Sequence, residues 1–500
     1  MLEDNKKLTI ATAIVELVRE DLMCGVFNLK LEIDINKLSY DSNDVQDGTL
    51  FICKGINFKE EYLQSAILKG ATVYISEVRY KVDIPCILVS DIRKALAVLS
   101  KWYYGYSDEK LDLCGITGTK GKSTTVYFLY NILEEAKKKV GFSTTVDTFD
   151  GSIVNESVLT TPESLEAHRL FNASVRNGCT DFIMEVSSQA YKMDRIYGLD
   201  YKYGIFVNIS DDHISPNEHK DFDEYFGCKL EIVKKFENAV INKDDEHSAE
   251  VFEAAKNAKR VMSYSILSED ADIYAKNIKK SGFKTTFDLV LDGKTLEGEI
   301  NIAGVFNVSN ALSAVAVAHM MGLDEDAILR GIAKTRVCGR MDIYENDGYT
   351  AIVDYAHNKE SLAHAASALS EYFPEKNFTI VFGCPGGKAL QRRRDMAVES
   401  AKVASYVYVT SEDPSREDPL AIANEITSYL DELNVKSEIV VDREEAIKKA
   451  IGEMKRDDLV FIAGKGSEHY QLIDGVPKPY PSDTALAKKF IMQKTEVDSE

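Results

Sequence analysis

Five hundred residues exceed what one hydrophobic core organises and point to about three domains of the usual ~100–200 residues each. Hydrophobic residues make up 45% and charged residues 28%, an ordinary globular composition, and the formal net charge of −21 argues against nucleic acid as a partner. Eight cysteines stand singly with no C-x-x-C pair, which indicates neither a zinc site nor a disulfide framework. The start, Met1 to Lys7, leads into an acidic amphipathic segment, so no signal peptide is expected. The richest apolar stretch, Ala311 to Leu323, falls short of the ~20 residues that span a bilayer. The expectation is a cytoplasmic protein with no membrane partner, acting as a monomer.

Residues 1–110 hold short β-type runs, Gly48–Cys53, Ala71–Ser76 and Pro85–Val89, between helical patterns. They predict a small α/β domain. An apolar run, Leu111 to Thr117, then leads into Gly115-Ile-Thr-Gly118-Thr-Lys-Gly121-Lys122-Ser123-Thr124, and helix formers from Lys122 to Ala136 lead out. Strand, glycine turn, Gly-Lys-Ser and helix describe a loop that cradles phosphate with its backbone N–H groups. Lys122 would reach the terminal phosphates of ATP and the Ser123 hydroxyl would ligate Mg²⁺. One detail departs from the usual G-x-x-x-x-G-K spacing: position 116 is Ile, and Gly115 lies one residue further back.

Strand signals at Val140–Thr145, Asp181–Val186, Tyr203–Ile209 and Ala239–Asn242 alternate with helical ones, which predicts a parallel sheet within a domain spanning 111–339. A β-rich patch, Phe283–Leu291 and Leu296–Ala303, precedes a helix beginning near Asn307. Residues 340–500 open a second α/β series with strands Thr350–Tyr355, Phe378–Cys384, Tyr406–Ser411, Glu438–Val441 and Leu459–Ala463. Ligands of such sheets gather where strands end, so the residues just after these strands carry most weight.

Glu185 ends one strand, where a carboxylate beside a phosphate loop suits Mg²⁺, and a salt-bridged surface group is the other reading. The next strand ends in Asn208-Ile-Ser-Asp211-Asp212-His213, and a lone His such as His213 serves structure more often than it binds a ligand. Lys229, on the residues alone, is one more lysine on an amphipathic helix.

The loop, with Thr160-Thr161-Pro162, Glu185-Val-Ser-Ser, Asp212-His213 and the spaced Lys229, resembles the Mur ligases of peptidoglycan synthesis. The resemblance continues in order through Gly304-Val-Phe-Asn307-Val-Ser-Asn310, Gly339-Arg340-Met341-Asp342, Asp354-Tyr-Ala-His357 and Gly464-Lys465-Gly466-Ser-Glu468. It implies a three-domain α/β architecture: a domain for the UDP-linked substrate, a central P-loop ATPase domain with a parallel sheet, and a C-terminal Rossmann-like domain. It also implies ATP-dependent addition of the third stem-peptide residue to UDP-N-acetylmuramoyl-L-alanyl-D-glutamate through an acyl phosphate.

By that resemblance Gly118, Thr119, Lys120, Gly121, Lys122, Ser123 and Thr124 hold ATP, together with Asn307, Asn310, Arg340, Asp354 and His357. Ser123, Glu185, His213 and a carbamylated Lys229 (N6-carboxylysine) hold Mg²⁺, so Lys122, Lys229, His213 and Glu185 form the catalytic group. Ser42, Thr160, Thr161, Ser187 and Arg195 match muramoyl-peptide contacts, although Met193 and Asn43 stand where the family often has Gln and Arg.

The C-terminal domain should choose the amine, a diamino acid. Arg393, Gly464 and Glu468 match amino-acid contacts, whereas Arg392 and Arg394 read as solvated. Diaminopimelate-adding members carry Asp-Asn-Pro-Arg, but this chain reads Glu412-Asp413-Pro414-Ser415-Arg416, with Ser in the Arg place. Lysine has no distal carboxylate, and its ε-ammonium suits Glu412 or Asp413. The segments Gln189–Tyr197 and His213–His219 also look like the lysine-adding branch. The expected amine is therefore L-lysine. The alternatives are meso-diaminopimelate, a folylpolyglutamate- or cyanophycin-type ligase, or a nucleotide switch without ligation chemistry.

Overall fold

A computed structural model describes the chain except residues 1–7, 29–30, 56, 211–217, 282–283, 303, 337–340, 388–389, 457 and 498–500. The described residues form two compact units: Met1–Tyr274 with Ser309–Gly331, and Ala275–Val308 with Ile332–Glu500.

The first unit contains two sheets. The N-terminal one runs, from edge to edge, Met23–Phe27, Cys86–Val89, Ala71–Ser76, Thr49–Ile52, Lys37–Ser39, and only its first strand is antiparallel. Its apolar runs are buried: Leu50, Ile52, Val73, Ile75 and Ile87 pack with the helices Ile10–Arg19 and Ile92–Tyr103. The larger sheet orders six parallel strands as Arg260–Ser265, Phe236–Asn242, Tyr201–Phe206, Asp112–Thr117, Asp181–Glu185, Val140–Ser143. Asp112–Thr117 therefore lies between two parallel neighbours, and its C-terminal end opens where ligands of such sheets collect.

Gly115 explains the odd glycine spacing. It is a residue of the strand Asp112–Thr117, and a Cβ there would lie 2.8 Å from the Tyr201 ring of the next strand. Its role is to admit that ring. A second close approach involves the helix Glu325–Lys334, where a Cβ at Gly331 would fall 2.4 Å from the Ile132 Cα of the helix Lys122–Glu135.

In the second unit, Lys284–Leu291 and Lys294–Ile300 form an antiparallel hairpin. A six-stranded sheet follows, ordered Asp342–Asn346, Tyr349–Asp354, Leu459–Ala463, Phe378–Phe382, Ala404–Val409, Ser437–Ile439 and parallel except at its first strand. No helix among the described residues is long and apolar enough to cross a membrane.

Candidate active site

The phosphate loop turns directly from the strand Asp112–Thr117 into the helix Lys122–Glu135. Gly121 caps that helix with φ +83°, and a Cβ there would sit 2.4 Å from Asn310 Oδ1, so both backbone and space require glycine. Lys122 folds back over the loop, its Nζ donating to the carbonyls of Gly118 at 2.9 Å and Thr119 at 3.0 Å.

Ser123 and Glu185 meet. The Ser123 hydroxyl donates to Glu185 Oε1 at 2.6 Å, and both residues are buried. Glu185 also accepts from the Thr145 amide at 2.8 Å and the Thr145 hydroxyl at 3.1 Å. It is thus a buried, neutrally hydrogen-bonded carboxylate, and the surface salt-bridge reading falls away. The Thr145 hydroxyl reaches Thr160 Oγ1 at 3.2 Å, and Thr161 Oγ1 donates to the Glu185 carbonyl at 2.9 Å while accepting from the Ser187 amide at 3.0 Å. Arg195 donates to the Thr161 carbonyl at 3.3 Å and pairs with Glu163 at 3.0 Å. Thr160, Thr161, Ser187 and Arg195 therefore gather beside the loop. Lys54 reaches the same Glu163 at 2.5 Å from the end of the strand Thr49–Ile52. Ser42 lies in the turn after Lys37–Ser39, where its carbonyl accepts from Lys69 Nζ at 2.7 Å.

Lys229 is no solvated helix lysine. The helix Phe222–Val233, capped by the Asp221 side chain, turns it inward until only 1% of the residue is exposed. Its Nζ donates to the Gly118 carbonyl at 2.8 Å and sits 4.7 Å from the Tyr225 ring centroid. Thr119 is held from two sides, by Asn208 and by the Tyr225 hydroxyl at 2.9 Å. Asn307 and Asn310 lie buried on the helix Phe306–Met320. His213, with Asp211 and Asp212, and Arg340 lie outside the described residues.

In the second unit, Asp354 ends the strand Tyr349–Asp354, and its Oδ2 accepts from the Met341 amide at 2.8 Å. His357 donates through Nδ1 to the Tyr355 carbonyl at 2.8 Å, and the Gly464 amide donates to the Asp354 carbonyl at 3.1 Å. Glu412 is buried beside Gly464 and Arg443, and its Oε2 has no hydrogen-bond partner among the described residues. Burial pushes its carboxyl up to about 7, with Arg443 opposing and Asp413 adding to the rise. Asp413 instead accepts from the buried Lys465 at 2.9 Å, and Lys465 also pairs with Glu468, which accepts from the Tyr355 hydroxyl at 2.5 Å. Burial opposes the Lys465 charge, but Glu468 and Asp413 outweigh it and hold the ammonium above its ordinary value. Arg393 is buried as well, with Glu417 at 2.7 Å and Glu425 at 2.5 Å on its guanidinium. Arg443 and Asp483 form a fully buried pair at 2.7 Å, and Arg443 also donates to the Ala463 carbonyl at 2.9 Å.

Thr145, Glu163, Asn208, Tyr225 and Lys465 were not singled out as site residues from the sequence. Glu163 follows the Thr160-Thr161-Pro162 run and Asn208 opens the run to His213, so proximity to those motifs was the available signal.

Residues 116–318 match the Mur ligase middle domain, and residues 339–466 match the Mur ligase glutamate ligase domain. The UDP-N-acetylmuramoyl-L-alanyl-D-glutamate–L-lysine ligase of Enterococcus faecalis is 41% identical, over 92% of this chain and 92% of its own. The ligase of the same name from Streptococcus pneumoniae is 39% identical, over 92% and 94%. Among solved structures, a UDP-N-acetylmuramoyl-L-alanyl-D-glutamate–2,6-diaminopimelate ligase matches with a TM-score of 0.67 at 25% identity, over 98% of this chain and 99% of that one. With relatives this similar over nearly its whole length, the chain belongs to the Mur ligase family.

Proposed function

We propose that the protein adds L-lysine to the D-glutamate side-chain carboxylate of UDP-N-acetylmuramoyl-L-alanyl-D-glutamate at the expense of ATP, in the cytoplasm and as a monomer. The observation that carries this reading is the convergence of Lys122, Ser123, Glu185 and Lys229 on one strand-to-helix turn, with Thr160, Thr161, Ser187 and Arg195 beside it. The names of the relatives support the choice of lysine. The reading divides the chain into residues 1–110 for the UDP-linked substrate, 111–339 for ATP and 340–500 for the amino acid.

A carboxylate is a poor acyl donor, so phosphorylation makes it one, and the incoming amine then attacks the activated carbon and displaces phosphate. No protein nucleophile is required. The six described cysteines other than Cys24 are buried, and none lies among the residues named above. Lys122 neutralises charge on the transferring phosphoryl group, and the amides at the start of its helix orient the phosphates.

Mg²⁺ fits the donor set. The Ser123 hydroxyl and the Glu185 carboxylate are hard oxygen donors buried side by side at 2.6 Å. With His213 and a carbamate on Lys229 they would hold the ion, which supplies charge neutralisation on the phosphates. Asn307, Asn310, Arg340, Asp354 and His357 are assigned to ATP. Ser42, Thr160, Thr161, Ser187 and Arg195 are assigned to the UDP-linked dipeptide.

Arg393, Gly464, Glu468, Asp413 and Glu412 are assigned to the amino acid. Glu412 has the strongest geometric support as the acceptor of the ε-ammonium, since Oε2 is buried and without a partner among the described residues. The test is phosphate release from ATP that requires both the UDP-linked dipeptide and an amino acid. Release without the amino acid, or none with any diamino acid, would sink the reading.

A further inference from the structure

We propose that Asn208 is a positioning residue for the nucleotide, one that commits the first half of the phosphate loop and leaves phosphate binding to the second half. This rests on the ATP reading of the loop. Asn208 follows the strand Tyr201–Phe206, two residues past its end. Its Oδ1 accepts from the Lys120 amide at 2.9 Å and from the Thr119 amide at 3.2 Å, while its Nδ2 donates to the Lys120 carbonyl at 3.1 Å. The Asn208 backbone carbonyl also takes the Thr119 amide, at 2.9 Å. One carboxamide thus uses both its acceptor and its donor, on two separate atoms, against the same two peptide units, a match that an acceptor-only carboxylate cannot reproduce.

The side chain of Thr119 extends the brace. Its hydroxyl accepts from the Ser210 amide at 3.0 Å and shares a hydrogen bond with the Tyr225 hydroxyl at 2.9 Å. Tyr225 lies one turn before Lys229 on the helix Phe222–Val233, and Lys229 itself donates to Gly118. Gly118, Thr119 and Lys120 are therefore tied to the strand end that runs on toward His213 and to the helix that carries Lys229.

The loop's amides divide accordingly. Those of Thr119 and Lys120 are already occupied, and oxyanions would have to displace Asn208 to reach them. The first helical bond inside the turn is Thr125 N to Gly121 O at 2.9 Å, so the helix's own ladder of hydrogen bonds begins at the Thr125 amide. The same holds for the first turn of any helix. What is particular here is the side chain that occupies the two preceding amides, those of Thr119 and Lys120, and braces the turn from which the helix starts.

The experiment is residue-resolved amide hydrogen exchange on the full chain, with and without ADP and Mg²⁺, for the wild type and Asn208→Ala. In the nucleotide-free wild type, Thr119 and Lys120 should exchange slowly. ADP should then slow Gly121 to Thr124 and change Thr119 and Lys120 little. Asn208→Ala should speed exchange at Thr119 and Lys120 and raise the KM for ATP by about tenfold or more, the scale of losing buried hydrogen bonds. The KM for the amino acid should stay within about twofold. Tyr225→Phe removes only the outer bond and should raise the KM for ATP by less. Equal new protection of all six amides by ADP in the wild type would overturn the proposal, as would an unchanged ATP KM in a folded Asn208→Ala protein. If ADP protects nothing, the nucleotide reading fails, and fast exchange at Thr119 and Lys120 without ligand would overturn the brace on its own.

Discussion

Lys122 and Lys229 converge on a single acceptor, the carbonyl oxygen of Gly118, which lies 2.9 Å from one ammonium and 2.8 Å from the other. Two cations held that near each other repel by a few kcal/mol at an effective dielectric of about 20. Carbamylation of Lys229 would replace one of them with an anion and turn repulsion into attraction, while its remaining N–H could still donate to Gly118. On the function proposed above, a carbamate on Lys229 would relieve that crowding and leave Lys122 able to turn toward phosphate.

Replacement of Lys229 tests this directly. Lys229→Arg keeps the charge but cannot form the carbamate, so turnover should fall as far as in Lys229→Ala, by about 10²-fold or more. Acetate or formate should restore part of the activity of the Ala variant. Near-wild-type turnover of the Arg variant would exclude a carbamate at this position.

Lys122→Ala should lose at least about 10²-fold in turnover, the scale for one oriented group that stabilises transition-state charge. Steady-state rates at saturating ATP measure it. A loss confined to the KM for ATP would make Lys122 a binding group only.

L-Lysine should outcompete meso-diaminopimelate when the two amines are supplied at equal concentration, because Ser415 stands where a distal carboxylate would need an arginine. Product analysis by mass decides between them. Efficient incorporation of diaminopimelate would transfer that role to Arg416.

Glu412 links this choice to pH. Its carboxyl is raised from 4.5 to about 7, chiefly by burial, so the neutral form predominates below about pH 7 and cannot pair with an ammonium. The KM for lysine should rise by up to about tenfold per pH unit as the pH falls below that value. Glu412→Gln should have a weaker and flatter KM. The same shift acts on stability with the opposite sign. The raised carboxyl favours the fold below about pH 4.5, and that contribution is lost as the pH rises through about 7. Glu412→Gln should therefore melt at or above the wild-type temperature at pH 8.

Arg443→Met should destabilise the second unit by about 3–5 kcal/mol, since it leaves Asp483 charged and buried without its partner. Denaturant unfolding of the full chain measures the loss. A change below about 1 kcal/mol would mean that Asp483 takes up a proton or finds another donor.

Much of the framework could be read from local pattern. Ala71–Ser76 and Leu459–Ala463 match the expected runs residue for residue, because each concentrates β-branched and aromatic residues in a short buried segment. The run expected at Tyr203–Ile209 instead forms a strand over Tyr201–Phe206. Val207 and Ile209 are apolar, but Asn208 between them turns its carboxamide onto the phosphate loop, an interaction that hydrophobic periodicity does not register. The burial of Lys229 was illegible for the same reason. A lysine on an amphipathic helix looks solvated until its partner, a carbonyl 111 residues earlier, is known. Glu185 and Lys229 were reachable as a group through family resemblance. The Thr145 amide on Glu185 and the grip of Lys465 on Asp413 needed the folded chain, because backbone donors and long-range ion pairs leave no mark on spacing.

Gly331 meets the backbone of Ile132, which cannot turn aside as a side chain could. Even a methyl group there must push the helix Glu325–Lys334 away from the helix that opens at Lys122, an overpacking strain of about 1–3 kcal/mol. Strain of that size is tolerated in the cold and decisive on warming. Position 331 is thus a natural origin for a temperature-sensitive variant, one that folds at low temperature and fails on warming with every residue of the candidate active site intact.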